Sequence, residues 1–571
     1  MKITDEQEAI ASSRAKSLVV NAFAGTGKTS TLVEYARRRP QQTLTYLAFN
    51  RAIKEEAQRK FPSNVRCVTT HGLAYSGFGS QYSDKLGNLR ASNIAKAFNL
   101  TFMVGGLVLQ IVNNFIASKS ELINETHLGH AKINLNNTQE SSLIDFARAT
   151  WERMKNTSDK SILMTHDGYL KLYQLSKPQI KTDIILFDEA QDANPVTLDI
   201  VINQRANKVF VGDKYQAIYG FRGAIDALDN IDADERLLLT SSFRFGQGTA
   251  DVASGILQDW QQCKHRIVGR GAHDTVFKVN QSKAHAIISR TNACLFNEAV
   301  YLTHAETPFG FVGGVENYKF DTILDVYKLF SGDKKGIKDQ FIGAFESYES
   351  MEAYGTELDD KEVKALLRVV DEYRHDIPAL ISDIKAKGSA EKNPEAVILT
   401  TAHKSKGLEF DSVILTSDYT DLAPKQDKKT GKMVMPTPEE INILYVALTR
   451  SIRCVALPDS VKQWLKDTDR LNLLSIQQPQ CKVTTTEKQA AIEQKALQDF
   501  DTLEAATSCV VEQFKTIEIA LENIKKATEV FPELRSIVAL YLADEAKKLS
   551  GPAVVDDGNI HFDDLPVMDE V

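Results

Sequence analysis

Residues 21–30 read Asn21-Ala22-Phe23-Ala24-Gly25-Thr26-Gly27-Lys28-Thr29-Ser30, NAFAGTGKTS in one-letter code. The apolar run Ser17-Leu18-Val19-Val20 precedes this stretch, and residues 32–39 beyond it have the composition of a helix. The spacing is that of a phosphate-binding P-loop with Ala22 in the place of the first glycine. Gly25 and Gly27 permit the tight turn that faces backbone N–H groups toward an anion. The helix that follows adds its positive end. Ala24, Gly25, Thr26, Gly27, Lys28, Thr29 and Ser30 are therefore the candidate nucleotide contacts. Lys28 is placed for the β- and γ-phosphates of ATP and Thr29 for Mg²⁺. Kinases, switches and motors share such a loop, so it predicts a nucleotide-binding α/β protein without naming its task.

At 571 residues the chain is expected to hold several domains. Its 43% hydrophobic and 25% charged content describe a globular protein. No apolar stretch is long enough to span a membrane, and the opening MKITDEQEAIASSRAKS has no signal-peptide core. Six scattered cysteines (67, 263, 294, 454, 481 and 509) form no CxxC pair. That argues against zinc, an iron–sulfur cluster or a disulfide framework, and for a reducing cytosol. A cytoplasmic location is expected, nucleoid-associated in a bacterium, with the nucleus left open. The net charge is −8, and six negative charges with no lysine or arginine fall in the last 21 residues, leaving −2 for the rest. A near-neutral body can carry a local basic groove, so charge neither implies nor excludes nucleic acid.

A second phosphate element stands at 183–195, DIILFDEAQDANP. A buried parallel strand over Ile184 to Phe187 would present Asp188 and Glu189 at its C-terminal edge, where ligands of α/β sheets bind. Asp188 can hold Mg²⁺ through water, and Glu189 is then placed to polarise the attacking water. A third run, VFVGDKYQAIYGFRGA (209–224), joins Gln216, within reach of a γ-phosphate, to Tyr219, Phe221 and Arg222. Aromatic rings stack on bases without sequence preference, and arginine holds phosphate. The same segment reads equally as a core aromatic pair beside a surface arginine.

In order along the first 455 residues, these segments resemble the superfamily 1 helicases of the UvrD/Rep type. Asp5-Glu6-Gln7 is similar to the Q motif, whose glutamine (Gln7) reads adenine in that family. LAFNRAIKEEA (47–57) and TTHGLAY (69–75) resemble motifs Ia and Ib, and VGDKYQAIYGFRGA resembles motif III. SSFRFG (241–246) is similar to motif IV, with Phe243 where an aromatic packs on adenine and Arg244 where an arginine finger sits. ISRTN (288–292) matches a segment whose asparagine, Asn292, approaches DNA. TTAHKSKGLEFDSVIL (400–415) and EEINILYVALTRS (439–451) resemble motifs V and VI, which implies Glu409 on the ribose and Arg450 as second arginine finger. Nine such motifs in order are far more specific than any one of them. THDGYLKLYQLSKP (165–178) narrows the likeness to the helicase core of F-box-containing DNA helicases and their microbial relatives. No F-box is seen in the sequence, so a ubiquitin-ligase role is not expected.

The resemblance implies two RecA-like P-loop domains with inserted helical subdomains. It also implies a DNA-dependent ATPase acting as a 3′→5′ single-stranded DNA translocase and helicase, in recombination, repair or protein displacement. The alternative is an ATP-gated single-stranded DNA-binding regulator that removes recombinase filaments with little unwinding. The expected DNA contacts are Phe49, Asn50, Thr69, His71, Tyr219, Phe221, Arg222, Asn292, Thr401 and His403. His71 and His403 also read as satisfied core histidines. Single-stranded DNA and DNA junctions are the expected partners. No additional carboxylate cluster suggests a nuclease.

Domain 1A is expected over 1–80 and 181–245, with a helical 1B insertion at 81–180. Domain 2A is expected over 246–330 and 396–475, interrupted by a short 2B at 331–395. KQDKKTGK (425–432) reads as a solvated hairpin tip ahead of a DNA contact. Apolar residues at three- and four-residue steps, among them Leu497, Phe500, Leu503, Val510 and Phe514, predict a helical extension over 476–550. It would pack on the motor or on a protein partner. The acidic tail, 551–571, reads as a disordered solubilising segment ahead of a docking tip.

Overall fold

A computed structural model of the chain describes residues 3–468 and 470, apart from 130–136, 220–226, 272–274, 277–278, 340, 358–360, 390–392, 423–424 and 427–432. The expected helical extension and acidic tail lie outside the described residues, as do Phe221 and Arg222. Two six-stranded parallel sheets organise the rest.

The first sheet is built from β1 (Ser17–Ala22), β2 (Leu44–Ala48), β3 (Val65–Thr69), β4 (Ile184–Phe187), β5 (Asn207–Gly212) and β6 (Glu235–Leu239), in the order β3-β2-β4-β5-β1-β6. Its central strands are apolar without alternation because helices cover both faces. Leu18, Val19 and Val20 of β1 and all four residues of β4 are buried. Leu18 and Val20 belong to one face's core with Leu32 and Tyr46, while Val19 joins Phe187 and Phe210 on the other. Each such side chain contributes about 1.5–3 kcal/mol on burial.

The helix after the P-loop spans Lys28–Arg37, starting earlier than the composition of 32–39 suggested. Gly27 caps it in the left-handed conformation, φ +77°, so the chain enters the helix directly at Lys28. Between β3 and β4, the helices Ala91–Phe98, Phe102–Ala117, Asn137–Lys155 and His166–Leu175 share one core around Val108, Ile111, Phe115 and Trp151.

After a short pair, β7 (Ser241–Ser242) with β8 (Val268–Gly269), come β9 (Thr275–Val276), β10 (Ala286–Ser289), β11 (Phe309–Phe311), β12 (Val397–Thr401) and β13 (Phe410–Leu415). A two-stranded hairpin of β14 (Lys425–Gln426) and β15 (Met433–Val434) precedes β16 (Ser451–Ala456). The tip of that hairpin lies outside the described residues. The second sheet is ordered β11-β12-β10-β13-β16-β9. Between β11 and β12 the helices Tyr348–Glu357, Lys361–Tyr373 and Ile377–Lys387 pack on the helices Asn292–His304 and Phe320–Ser331. The segment expected as a short 2B thus shares the hydrophobic core of the second lobe, through Val363, Leu367, Val370 and Ile381.

Candidate nucleotide site and nucleic-acid interface

The P-loop connects β1 to its helix through two left-handed glycines, Gly25 at φ +72° and Gly27 at φ +77°. At Gly25 the demand is double, because a Cβ there would stand 2.5 Å from Ser242 Oγ and 2.6 Å from Arg244 Cβ. The loop therefore packs directly under the segment that carries Phe243 and Arg244, and the Phe243 N–H donates to Gly25 O at 2.8 Å. Thr26 is buried and its hydroxyl donates to Phe23 O at 2.8 Å, closing the turn. Gln7 completes a capping box with Thr4 at the start of the helix Asp5–Ser12. Its side-chain N–H faces Thr26 O at 3.5 Å, which puts the expected adenine reader against the loop. Thr29 is half-buried and Ser30 is exposed at the start of the P-loop helix.

The acidic pair ends β4. Asp188 accepts from the Tyr46 hydroxyl at 2.7 Å and from the Glu189 N–H at 2.9 Å. Burial, then the Glu189 charge, pushes the Asp188 pKa up. A divalent cation would relieve both effects. Glu189 adopts φ +52°, a left-handed conformation that a non-glycine residue enters only at a cost of about 1–3 kcal/mol. Its carboxylate pairs with Lys28 Nζ at 2.9 Å and accepts from Gln191 Nε2. Burial works to raise the Glu189 pKa, but Lys28 and Lys406 outweigh it and hold it at about 2. Glu189 is therefore a carboxylate at neutral pH.

Two arginines meet at this edge: Arg450 follows the second lobe's helix Pro438–Leu448, and Arg244 follows β7 and packs against Gly25 of the P-loop. Arg450 is 1% exposed. It donates from Nε to Val446 O at 2.9 Å and from Nη2 to Gln216 Oε1 at 3.4 Å. Burial, then the neighbouring Arg244, lowers its pKa to about 9, so it stays charged at neutral pH. Arg244 donates from Nε to Glu409 at 2.8 Å and from Nη1 to Thr449 O at 2.9 Å. Glu409, expected on the ribose, is here the partner of the expected arginine finger. Lys28, Asp188, Glu189, Gln216, Arg244 and Arg450 thus gather at one junction: the first four follow β1, β4 and β5 at the carboxyl edge of the first sheet, Arg244 follows β7, and Arg450 immediately precedes β16.

The residues expected to hold DNA occupy other strand ends. Phe49 and Asn50 follow β2, and Thr69 and His71 stand at the end of β3. Asn292 follows β10, and Thr401 and His403 end or follow β12. These are neighbouring strands in each sheet, β3-β2 in one and β12-β10 in the other, at the carboxyl edges where α/β folds place ligands. Phe49 is 41% exposed and stacks on Tyr219, with ring centroids 5.9 Å apart and planes 15° from parallel. Asn50 and Thr69 spend their side-chain oxygens as helix caps, accepting from Ile53 N–H and Gly72 N–H. His71 pairs with Asp167 at 2.9 Å on the surface, so it is no core histidine.

Two expected contacts are sited differently. Thr401 is buried, 6% exposed, with its side chain inside the lobe. His403 bonds to Ile218 O through Nε2 at 3.2 Å, and burial, then Arg290, lowers its pKa to about 4. His403 is a neutral interlobe bracket, closer to the satisfied-histidine alternative than to a phosphate contact. The segment 213–219 therefore touches the nucleotide group through Gln216 and the other lobe through Ala217, whose carbonyl accepts from Asn442 at 3.0 Å, and Ile218.

Several members of this junction were not read from the sequence. Asp213 ends β5 as Asp188 ends β4, and the parallel between VFVGD and ILFD was the available signal. Tyr46 holds Asp188, but nothing in LTYLA marks it. Lys406 bonds to Asp192 and, at 2.6 Å, to Gln216 O, with side chains 9% and 1% exposed. Burial raises the Asp192 pKa to about 6. Lys406→Met strands that carboxylate, and is expected to cost about 3–5 kcal/mol. Urea unfolding reads this directly, and a midpoint unmoved from wild type would mean the pair carries no net stability.

Comparisons with known proteins agree with this geometry. Residues 6–222 match an AAA domain and residues 323–453 match the UvrD-like helicase C-terminal domain. The chain carries the core of a UvrD/Rep-like superfamily 1 helicase. Within that class it is similar to F-box DNA helicase 1 of Gallus gallus, 32% identical over 505 residues, covering 81% of this chain and 50% of that protein. It is similar also to F-box DNA helicase protein 1 of Schizosaccharomyces pombe, 30% identical over 513 residues, covering 80% and 58%. Over a shorter stretch of 208 residues it is 26% identical to the ATP-dependent DNA helicase PcrA of Leuconostoc citreum, covering 30% and 28%. The chain spans about half the length of the first two relatives. No helix among the described residues is long and apolar enough to cross a membrane.

Proposed function

We propose that the protein is an ATP-dependent DNA helicase that translocates 3′→5′ along single-stranded DNA, with repair, recombination or protein displacement as its setting. The observation that carries this is the division of carboxyl strand ends in the first sheet. There β4, β5 and β1 carry Asp188, Glu189, Gln216 and Lys28, and the adjacent β2 and β3 carry Phe49, Asn50, Thr69 and His71; segment 213–219 joins the two groups through Gln216, which meets Arg450, and Tyr219, which stacks on Phe49. Closure of the lobes on ATP would bring Arg244 and Arg450 to the γ-phosphate, where each stabilises the charge that develops during transfer. Hydrolysis releases the closure, and repeated closure with a strand held by both lobes is stepping.

Mg²⁺ fits the donor set. Thr29 and Asp188 offer hard oxygens, and no cluster of three or more metal-binding side chains occurs among the described residues. Few protein ligands are what Mg²⁺ takes when substrate phosphates and water complete its shell. The ion would neutralise charge on the phosphates. Within this chain, Lys28 would leave Glu189 for the phosphates, and the freed Glu189 carboxylate would accept the proton of the attacking water.

Phe49→Ala removes one face of the stacked pair and is expected to weaken single-stranded DNA binding by about 1–3 kcal/mol. Fluorescence anisotropy with a labelled oligonucleotide measures it. An unchanged Kd would remove Phe49 from the track. Strand displacement from duplexes with a 3′ or a 5′ tail tests the proposed polarity, with unwinding of the 3′-tailed substrate expected.

A second reading, a DNA-bound regulator that strips recombinase filaments and unwinds little, draws on the segment 331–395. Its helices share the core of the second lobe, so they form a layer on that lobe in place of a separate duplex-gripping arm. Filament removal without displacement of either tailed duplex would favour this reading.

A further inference from the structure

Tyr445, on the helix Pro438–Leu448, places its hydroxyl between two groups of the first lobe. It accepts the Ala24 N–H of the P-loop at 3.1 Å and donates to Asp213 Oδ2 at 3.0 Å. The same Asp213 oxygen accepts the side-chain N–H of Gln216 at 2.9 Å, and Gln216 Oε1 accepts from Arg450 at 3.4 Å. Asp213 is further fixed by the Tyr215 N–H at 3.1 Å. The chain Ala24–Tyr445–Asp213–Gln216–Arg450 therefore begins at the P-loop, crosses to the second lobe, returns to the first and ends on the second. Tyr445 and Arg450 stand five residues apart, so one short segment of the second lobe makes all three crossings.

We propose that Tyr445 is a positioning residue for ATP hydrolysis, whose hydroxyl sets the P-loop and the Gln216 arm at one fixed distance from the segment that carries Arg450. The proposal rests on the reading that Arg450 and Gln216 serve the γ-phosphate. The Tyr445 ring packs edge-on against Tyr215, centroids 6.3 Å apart, independently of the hydroxyl. Packing and signalling can therefore be separated by one atom. A residue that only filled the core would show its effect in stability, whereas a residue that sets a distance shows it in kcat.

Tyr445→Phe keeps the ring and removes both of the hydroxyl's crossings. In the full chain with saturating single-stranded DNA, its kcat for ATP is expected to fall about ten- to hundred-fold, the cost of a small misplacement at a reacting centre. The KM for ATP is expected to move less than about threefold, because the hydroxyl bonds to protein groups, Ala24 N–H and Asp213, and Lys28 and both P-loop glycines are untouched. Asp213→Asn, measured in parallel, is expected to show the same split. The double variant is expected to be no worse than the weaker single by more than about twofold, because both changes break one connection. Wild-type kcat in Tyr445→Phe would overturn the proposal, and so would defects that multiply in the double variant. If Tyr445→Phe does not fold, Asp213→Asn decides alone: a lower kcat at constant KM supports the proposal and a normal kcat overturns it. A wild-type protein that hydrolyses no ATP would instead overturn the functional reading on which the proposal stands.

Discussion

Glu189→Gln is expected to bind ATP at least as well as wild type and to hydrolyse it about 10²–10⁴-fold more slowly, the range of a lost general base. The affinity follows from the ion pair. Lys28 must break its 2.9 Å contact with Glu189 to reach a phosphate, and glutamine releases that lysine without a competing charge. The rate follows from the proton. An amide in the same place cannot accept one, although it keeps the shape and the contact with Gln191. The strained backbone at residue 189, φ +52°, aims the side chain, and the substitution leaves it in place. Single-turnover hydrolysis with a separate nucleotide-binding titration distinguishes the two effects. Near-normal turnover would remove Glu189 from the chemistry.

Arg450→Ala is expected to lower kcat by roughly 10³ or more, the effect of losing an arginine finger. The residue is almost wholly buried and points into the junction from the second lobe, so alanine removes a positive charge that water does not replace. Arg450→Lys is the sharper comparison. It keeps a charge but cannot hold Val446 O and Gln216 Oε1 with a planar fork, so its kcat is also expected to fall substantially. Nucleotide affinity changes less than kcat in both. Wild-type kcat in Arg450→Ala would mean that the lobes do not close on the γ-phosphate through this side chain. Arg244→Ala is expected to move in the same direction, after release from Glu409.

The elements that decide the fold were readable where local chemistry dictates them. LVV (18–20), IILF and VFVG carry no polar side chain because strands buried on both faces need no polar alternation, and all three lie in central strands of one sheet. The P-loop was readable because few sequences satisfy two left-handed glycines followed by lysine and threonine. Its helix begins at Lys28 for the same reason: the glycine that ends the turn is also the cap. What escaped reading is pairwise. Nothing local tells that Tyr445 meets Asp213, 232 residues earlier, or that Lys406 meets Asp192. Thr401 and His403 lie in a motif associated with DNA, yet Thr401 points into the lobe and His403 braces the other lobe. A motif names residue types in order, and the fold decides which of them reach the surface.

The proposed function requires one coupling, between the nucleotide group and the candidate DNA contacts joined by residues 213–219. The steady-state rate of ATP hydrolysis, measured while single-stranded DNA is titrated into the intact protein, tests it most directly. The rate is expected to be low without DNA and to rise with it to a plateau, because the strand favours the closed arrangement in which both arginines face the phosphate. A rate that is the same with and without single-stranded DNA would contradict the account.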